Sequence, residues 1–364
     1  MKVGIAGVGL LGSSMGYVLR KKKWAEKVVG IGRNEERLKK AVDVGAIDTY
    51  TTKIDSSLTE LDIIIIALPV EIIPKYAESI LPFLKKGAII TDVGSTKQYI
   101  TEEIEKILPE GIYFVGGHPM AGSEKTGVEA MDPFLFENAV YVVTKSKKSN
   151  NSAVDKIKEM ASVLDSNVIE MNVSAHDMSV ATISHMPHIM AAAIVNAAGR
   201  IDKKSPNVLS LAASGFRDTT RIAAGSPEIW RDISISNSEK IVEVIEIFEE
   251  ELKKFKESIM NRDENEIYYL FEEAKKIKDS MPKKKKGILL PMTEMVVFVP
   301  DEPGIIGKIA QIFGNEGVNI KDIEVLHVRE NEGGSIRIGV DSSVKQEKLK
   351  KILKENKFDF KIID

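Results

Sequence analysis

The feature that most constrains the fold of this chain is a glycine pattern near its start, Gly7-x-Gly9-x-x-Gly12. The pattern follows a short apolar segment (residues 2–6) and precedes a helix-like segment (10–22). In dinucleotide-binding βαβ units the first glycine allows a tight turn, the second lets a pyrophosphate approach the backbone, and the third lets the helix pack on the strand. The spacing alone is weak evidence, but this context favours a dinucleotide site over an ordinary turn. The predicted cofactor contacts here are Gly7, Gly9, Leu10, Leu11 and Gly12.

The end of the next strand-like segment (28–31) bears on which dinucleotide is bound. An acidic residue at this place commonly binds the ribose 2′-hydroxyl of NAD. Here the sequence GIGRN (30–34) contains no acid. Gly32 leaves room for a 2′-phosphate, and Arg33 is able to pair with it. We therefore predict NAD+ or NADP+ as the cofactor, with NADP+ favoured; the alternative is that Arg33 is an ordinary surface residue.

The first half of the chain alternates strand-like and helix-like segments. The continuous β-branched run IIIIAL (63–68) is typical of a parallel strand that is buried on both faces. Four further strand-like segments follow: AIITDV (88–93), YFVGG (113–117), AVYVVT (139–144) and NVIEM (167–171). This alternation predicts an α/β fold, a doubly wound parallel sheet of the Rossmann type, over residues 1–172.

The remainder of the chain predicts two further domains. Residues 173–282 have helical patterns, and their apolar stripes exceed what a small bundle can bury, which indicates an all-helical domain that dimerises. The lysine run at 283–287 indicates a solvated linker (283–291) rather than a nucleic-acid or membrane patch. The order βαββαβ predicted over residues 292–364 is that of a ferredoxin-like domain.

Composition excludes several classes of partner and chemistry. The chain has 51 Lys and Arg against 54 Asp and Glu, a net charge of -3, so no overall positive field attracts nucleic acid or an anionic membrane. It has no cysteine, which excludes disulfides, thiolate catalysis and cysteine-bound metals and fits a reducing cytosol. We find no signal peptide, and the longest apolar run (63–70) is too short to cross a bilayer. These features predict a cytoplasmic protein with a small-molecule partner.

His118, in the segment GGHPMAGSE (116–124), is the first candidate catalytic residue. It lies just beyond a predicted strand, at the edge where such sheets bind ligands. A histidine with an ordinary pKa near 6.5 is suited to take the proton of an alcohol. From the spacing alone, a structural histidine is an equally good interpretation.

The wider sequence adds a resemblance to a known family. The segment around His118, GGHPMAGSEKTGVEAM, together with DVGSTK (92–97), SHMPH (184–188) and GFRDTTR (215–221), resembles the prephenate/arogenate dehydrogenase family over about residues 1–280. The resemblance implies oxidative decarboxylation of prephenate to 4-hydroxyphenylpyruvate. In that reaction a hydride leaves C4 for the nicotinamide, CO2 leaves C1, and the ring becomes aromatic.

The resemblance also implies roles for individual residues. His118 matches the base that binds the hydroxyl, Ser95 the serine that orients it, and Glu124 a gating acid beside the pocket. Arg221 resembles an arginine that binds a substrate carboxylate in bidentate fashion, and Arg217 adds a second cation. The remaining implied substrate contacts are Ser184 and His188. For the two arginines, surface pairing with Asp218, Glu228 or Asp232 is the alternative.

Three other features have less specific interpretations. The spacing of His185 and His188 is compatible with a pair of metal ligands, but no third ligand is apparent and Pro187 interrupts the helix. We therefore predict no metal. His176, beside Asp177, is interpreted as structural or as part of a subunit interface. Trp230 is interpreted as a core residue or as an interface residue that reaches the partner's site.

The carboxyl-terminal segments VPDEPGII (299–306) and NEGVNI (315–320) resemble the ACT family of amino-acid-sensing domains. A turn that opens a helix exposes backbone amides, to which a carboxylate is able to bind. The resemblance implies tyrosine, the end product, as effector, and a homodimer, because ACT domains bind at paired interfaces. A domain used only for assembly is the alternative. The implied effector contacts are Asp301, Pro303, Gly304, Asn319 and Ile320.

Three alternative functions remain open from the sequence. An arogenate dehydrogenase uses the same chemistry on a substrate with an amine side chain. A β-hydroxyacid dehydrogenase or imine reductase shares the order of a Rossmann domain followed by a helical dimer, but lacks the His-Pro-Met segment. A non-catalytic ACT sensor is disfavoured by the joint presence of Ser95, His118, Glu124 and Arg221.

Overall fold

The computed structural model describes residues 1–122, 126–281, 292–300, 302–329 and 333–363. The chain divides into two compact units, Met1–Met281 and Pro282–Asp364, and we describe each by itself. The predicted linker, 283–291, lies outside the described residues.

In the described part of the first unit, eight strands form one sheet. They are β1 (Lys2–Ala6), β2 (Lys27–Ile31), β3 (Thr49–Thr51), β4 (Ile63–Ile66), β5 (Ile89–Asp92), β6 (Tyr113–Pro119), β7 (Val140–Lys145) and β8 (Asn167–Met171). Their order in the sheet is β3-β2-β1-β4-β5-β6-β7-β8. The Rossmann-type prediction is confirmed. Strand β3 was not predicted, because three half-buried residues are too few to show a periodic pattern.

Helices pack on both faces of this sheet. The described residues between β1 and β8 form α1 (Leu10–Lys21), α2 (Glu35–Asp43), α3 (Ile73–Ile80), α4 (Gln98–Ile107) and α5 (Asn151–Val163). In strand β4, Ile63 and Ile65 pack with α1, α2 and α5, whereas Ile64 and Ile66 pack with α3 and α4. All four isoleucines are fully buried, so the strand is buried on both faces as its sequence predicted.

One strand direction differs from the prediction of a parallel sheet. Strands β6 and β7 pair antiparallel, with His118 opposite Val142. A parallel connection needs a crossover, commonly a helix, whereas the described residues between these strands hold only a short 3-10 turn, Val128–Ala130. Because β7 runs back along β6, the connection (120–139) begins and ends at the carboxyl end of β6, which is the ligand-binding edge of the sheet.

The rest of the first unit is helical, as predicted. Its helices are α6 (Val173–Val180), α7 (Met186–Asp202), α8 (Ser214–Thr220), α9 (Pro227–Ser236), α10 (Ser238–Asn261) and α11 (Glu264–Ser280). Between α6 and α7 lies one π-helical turn, Ala181–His185, closed by a hydrogen bond from the Met186 N–H to the Ala181 carbonyl. Pro187 explains this turn, because it has no N–H to give to the carbonyl four residues earlier.

By length and composition alone, one helical stretch in the described residues, Val173–Asp202, is long and apolar enough to cross a membrane. This stretch contains no long uninterrupted apolar run, so its apolar character was not predicted from the sequence. Core helices of soluble proteins pass the same test, and this stretch carries the buried polar residues His176, Asp177 and His185. It is therefore weak evidence for a membrane span.

The second unit confirms the order βαββαβ. Its elements are β9 (Met292–Val299), α12 (Ile305–Asn315), β10 (Ile320–Arg329), β11 (Gly333–Asp341), α13 (Gln346–Glu355) and β12 (Asp359–Ile363). The strands form an antiparallel sheet in the order β10-β11-β9-β12. Apolar side chains of the sheet and both helices, among them Met295, Phe313 and Leu349, form its core.

Candidate active site

A cavity of about 1030 Å3 lies at the carboxyl ends of β1, β2 and β4. It is lined in part by Gly7, Gly9, Ile31, Arg33, Ala67 and Tyr76. Gly7 has a φ of 93°, and a Cβ added there would overlap the carbonyl oxygen of Ala67. A Cβ added at Gly12 would overlap the carbonyl oxygen of Gly7, whereas one at Gly9 would meet no atom within 4 Å. Gly9 therefore faces open space, as a pyrophosphate site requires.

The amino terminus of α1 completes this site. Its N-cap is Gly9, and no side chain in the described residues caps it or places an acid in its first turn. The first N–H groups of the helix, at Leu10 and Leu11, therefore have no intrahelical partner and favour an anion. These residues fit a dinucleotide pyrophosphate.

The lining of this cavity is cationic. Arg33 lines it, as expected, together with Arg37 of α2 and Lys75 of α3. None of the three has an ion-pair partner among the described residues, and the cavity lining contains no acid. Arg37 and Lys75 were not predicted from the sequence. The position of Arg37 four residues after Arg33 was a usable signal, whereas Lys75 reaches the cavity only through the fold.

His118, at the end of β6, is 9% exposed and is held by a chain of hydrogen bonds. Its Nδ1 lies 2.8 Å from Nε2 of His176, and Nδ1 of His176 lies 2.7 Å from Oδ1 of Asp177. The Asp177 carboxylate also accepts hydrogen bonds from the backbone N–H groups of Lys97 (2.8 Å) and Gln98 (2.9 Å). Backbone N–H groups at the start of α4 thus hold Asp177 of α6, and His176 connects Asp177 to the ring of His118.

Burial decides the protonation state of His118. Burial lowers the pKa of His118 well below its usual value, and the neighbouring charges of His176, Lys97 and His185 lower it further. Lys97 is itself fully buried in contact with Asp92. Burial lowers the pKa of Lys97, while the Asp92 carboxylate opposes that shift. At neutral pH, His118 is therefore neutral and has a free lone pair to act as a base.

The structure gives His118 a hydrogen-bond partner that the sequence did not predict. Its Nδ1 meets His176, and the described residues contain no hydrogen bond from the half-buried Ser95 to His118, so the role of Ser95 stays a prediction. His176, interpreted from the sequence as structural or as part of a subunit interface, is fully buried and contacts the candidate base. The sequence signal for this was the dipeptide His176-Asp177, which pairs an imidazole with a carboxylate.

The helical part of the unit brings a second histidine group to the site. Nδ1 of His188 donates to the Ile222 carbonyl at 3.1 Å, and its ring stacks on Trp230 with 3.7 Å between centroids. His185 meets the same indole edge-on at 6.2 Å. Burial lowers the pKa of His188, the Ile222 carbonyl opposes this shift, and the positive charge of Arg221 lowers the pKa further. The indole ring of Trp230 therefore packs against the rings of both His185 and His188.

The two arginines are available to an anion. Arg217 and Arg221 are exposed and have no ion pair among the described residues. Of the surface acids named as alternative partners, Asp232 pairs with Arg231 at 2.6 Å. Glu228 accepts a hydrogen bond from Ser226. Arg217 makes one hydrogen bond, from Nε to the Ala212 carbonyl at 3.1 Å.

The remaining predicted residues of this site are placed as follows. Ser184 is half-buried in the π turn, beside His185. Glu124 lies outside the described residues. Nδ1 of His185 lies 3.2 Å from Nδ2 of Asn237, and in the described residues no group of three or more His, Asp or Glu side chains is arranged to hold a metal.

The second unit has a smaller cavity of about 240 Å3, lined in part by Pro300, Glu302, Gly304, Ile306 and Ser335. Gly304 has a φ of 90° and is the N-cap of α12. Of the predicted effector contacts, Gly304 lines the cavity and Pro303 precedes it, whereas Asn319 and Ile320 are not among the lining residues. Asp301 lies outside the described residues.

Comparison with known proteins gives matches along most of the chain. The family model of the prephenate dehydrogenase nucleotide-binding domain matches residues 15–170, that of the prephenate dehydrogenase dimerization domain matches 172–273, and that of the ACT domain matches 293–355. A prephenate dehydrogenase of Bacillus subtilis is 36% identical over 93% of this chain and 91% of its own length.

Solved structures give matches that cover about three quarters of this chain. A crystal structure of prephenate dehydrogenase from Aquifex aeolicus, in complex with hydroxyphenyl propionate and NAD+, has a TM-score of 0.72 and 33% identity, covering 78% of this chain and 98% of that chain. Synechocystis arogenate dehydrogenase has a TM-score of 0.69 and 29% identity, covering 77% of this chain and 99% of that chain.

Proposed function

Because the chain belongs to the prephenate dehydrogenase family, we propose that it catalyses the oxidative decarboxylation of prephenate to 4-hydroxyphenylpyruvate with NAD(P)+. The observation that carries this proposal is the state of His118. It is buried at the ligand-binding edge of the sheet, with Nδ1 bonded to His176 and Nε2 left to meet a substrate hydroxyl.

Five of the candidate residues have a task in this reaction. The nicotinamide, when bound, supplies the hydride acceptor. His118 takes the proton of the C4 hydroxyl at Nε2. Arg221 and Arg217, which form no ion pair within the described part of the chain, bind carboxylate groups of the substrate, and His188 and Ser184 provide polar contacts. Loss of CO2 makes the ring aromatic, so the protein chiefly orients the substrate and accepts one proton.

The test of this function is a prephenate assay that measures reduced cofactor and CO2 together. We expect one CO2 for each reduced cofactor, because hydride loss and decarboxylation belong to one reaction. His118→Asn should lower kcat by about 10²–10⁴-fold, the usual contribution of a general base. Reduced cofactor without CO2 would favour a β-hydroxyacid dehydrogenase instead, and near-normal turnover by His118→Asn would remove His118 from the role of base.

Arogenate is the second candidate substrate. The similarity to Synechocystis arogenate dehydrogenase supports it, since that structure covers the same unit of this chain. The two substrates differ in the side chain, which carries a ketone in prephenate and an amine in arogenate. A ratio of kcat/KM above about tenfold in favour of prephenate supports our assignment, and the reverse ratio makes the chain an arogenate dehydrogenase.

For the cofactor, we propose a preference for NADP+ over NAD+. Its support is the cationic lining of the cavity, which includes Arg33, Arg37 and Lys75 and contains no acid. Parallel assays with the two cofactors test this. A higher kcat/KM with NAD+ would mean that these cations face solvent rather than phosphate.

Our proposal for the whole chain is a cytoplasmic homodimer inhibited by tyrosine. Residues 1–172 form the nucleotide-binding domain, 173–282 the substrate and dimerisation domain, 283–291 a linker, and 292–364 the ACT domain. Large exposed side chains on α10 and α11, such as Ile247, Leu252 and Phe271, support a partner on the helical domain, which matches a dimerization model. Light scattering at the monomer mass would contradict the dimer.

A further inference from the structure

His118 is connected in a line to two further titratable side chains, His176 and Asp177, which a reaction with a single general base does not require. His118, His176 and Asp177 are joined by hydrogen bonds of 2.8 and 2.7 Å, and all three side chains are buried. Asp177 is fixed in turn by the backbone N–H groups of Lys97 and Gln98, and Asn237 donates to its backbone carbonyl at 2.9 Å. These hydrogen bonds therefore hold Asp177, the last of the three residues, in a fixed position.

The hydrogen bonds along this line select one tautomer for each ring. A carboxylate only accepts, so Nδ1 of His176 carries its proton and donates it to Asp177. Nε2 of His176 is then an acceptor, and Nδ1 of His118 carries the proton that it receives. The lone pair of His118 consequently lies on Nε2, the nitrogen that faces the substrate in the proposed reaction.

A proton that arrives at His118 enters an unfavourable place. The ring is buried, and burial together with the charges of Lys97 in the β5–α4 connection and of His185 in the π turn lowers the pKa of His118. The Asp92 carboxylate of β5 is already in contact with Lys97. Among the described residues, the carboxylate hydrogen-bonded to this line is that of Asp177, and it touches His176 rather than His118. A positive charge is therefore better placed on His176 than on His118.

We propose that His118, His176 and Asp177 act as a proton relay, an inference that rests on the proposed function. When the substrate O–H bond breaks, its proton binds Nε2 of His118, and the proton on Nδ1 of His118 passes to Nε2 of His176. The O–H electron pair forms the C4=O bond, and the hydrogen on C4 leaves with the C4–H pair as a hydride for the nicotinamide dinucleotide. Imidazolium forms on His176 in direct contact with the Asp177 carboxylate, and His118 stays neutral. Loss of CO2 then returns the C1–carboxylate pair to the ring, and the resulting phenolate oxygen takes the proton back from Nε2 of His118 as the relay reverses. His176 is a positioning residue, since it touches no substrate atom.

His176→Gln tests the relay, because it removes the second ring and leaves the Asp177 contacts with α4 in place. We expect kcat to fall by about 10²-fold or more, while KM changes by less than about threefold. The acidic limb of kcat/KM should move to lower pH by about one unit, because the proton taken from the substrate must then stay on His118, which has no contact with the Asp177 carboxylate. A merely structural role for His176 would lower activity without moving this limb.

Ser236→Ala is the matched control. Its hydroxyl bonds Thr96 at 3.0 Å between the same two parts of the unit but lies outside the relay, so kcat and the pH profile should match the wild type. Asp177→Asn, which removes the charge and one of the two acceptor oxygens, should shift the acidic limb in the same direction as His176→Gln.

A measurement without turnover covers the case in which these variants fail to fold. The chain has five histidines, so 15N-histidine labelling of the wild-type protein resolves their tautomers. We expect the proton of His118 and that of His176 on Nδ1; a proton on Nε2 of His118 would overturn the relay. Loss of the proposed function itself would show differently, as a wild-type protein that turns over neither prephenate nor arogenate.

Discussion

At the scale of single residues, we expect Gly9 to affect dinucleotide binding and Gly12 to affect the stability of the fold. A Cβ at Gly12 would overlap the Gly7 carbonyl, a backbone atom that cannot turn away, whereas a Cβ at Gly9 meets nothing within 4 Å. We expect Gly12→Ala to lower the free energy of unfolding by about 1–3 kcal/mol. Gly9→Ala should keep the wild-type stability and weaken dinucleotide binding at least tenfold. Denaturant unfolding and cofactor titration measure the two effects, and equal stability of both variants would contradict this assignment.

His185 gives a prediction for pH and stability. Burial lowers its pKa to about 4, whereas an unfolded histidine has a pKa near 6.5. Between these values the unfolded chain binds a proton that the folded chain does not, so stability falls as the pH drops below 6.5. Because of His185, the free energy of unfolding should fall by about 2 kcal/mol between pH 7 and pH 5.

Denaturant unfolding at the two pH values checks this contribution. His185→Gln should reduce the pH dependence by about 2 kcal/mol. Thr182→Ala, an exposed neighbour on the same turn, should retain the wild-type dependence. An unchanged dependence in His185→Gln would mean that His185 is protonated in the folded protein.

At the scale of elements, the π turn between α6 and α7 decides which side chains reach the site. It adds one residue to a helical turn, which rotates α7 by about 100° relative to a continuous α-helix. His176 and Asp177 precede the turn, and His188 follows it. The turn therefore sets the direction of His188 relative to the histidines near the base.

Pro187→Ala tests this element. Alanine restores an N–H that is able to bond the Ile183 carbonyl, so the turn can tighten to α-helix. We expect an unchanged or higher Tm, a kcat/KM for the substrate at least tenfold lower, and an unchanged Kd for the cofactor, whose cavity lies on other elements. A wild-type kcat/KM would show that the π turn does not position the substrate contacts.

Sequence patterns predicted most elements and only part of the site. The run at Ile63–Ile66 predicted a doubly buried strand, because its apolar character shows without knowledge of neighbours. The antiparallel direction of β7 and the π turn depend on connections and on a missing N–H, which leave no periodic signal. Likewise, the glycine pattern located the dinucleotide site, whereas the contact of His118 with His176, 58 residues away, arises only from packing.

At the scale of the whole molecule, the two units divide catalysis from the proposed regulation. The cavity beside Gly304 belongs to the second unit, whereas His118 and the large cavity belong to the first. Inhibition by tyrosine would therefore be a coupling between distinct sites, and it must be removable without loss of catalysis.

Gly304→Val is the test of this coupling. Gly304 has a φ of 90°, a conformation that a β-branched residue adopts only with strain, so valine should distort the start of α12 where an effector carboxylate would bind. We expect wild-type kcat in the absence of tyrosine and at least a tenfold weaker inhibition in its presence. Gly307→Ala, within α12 and facing open space, should keep the wild-type inhibition. Full inhibition of Gly304→Val by tyrosine would place the effector elsewhere on the chain and leave this cavity with a role in assembly alone.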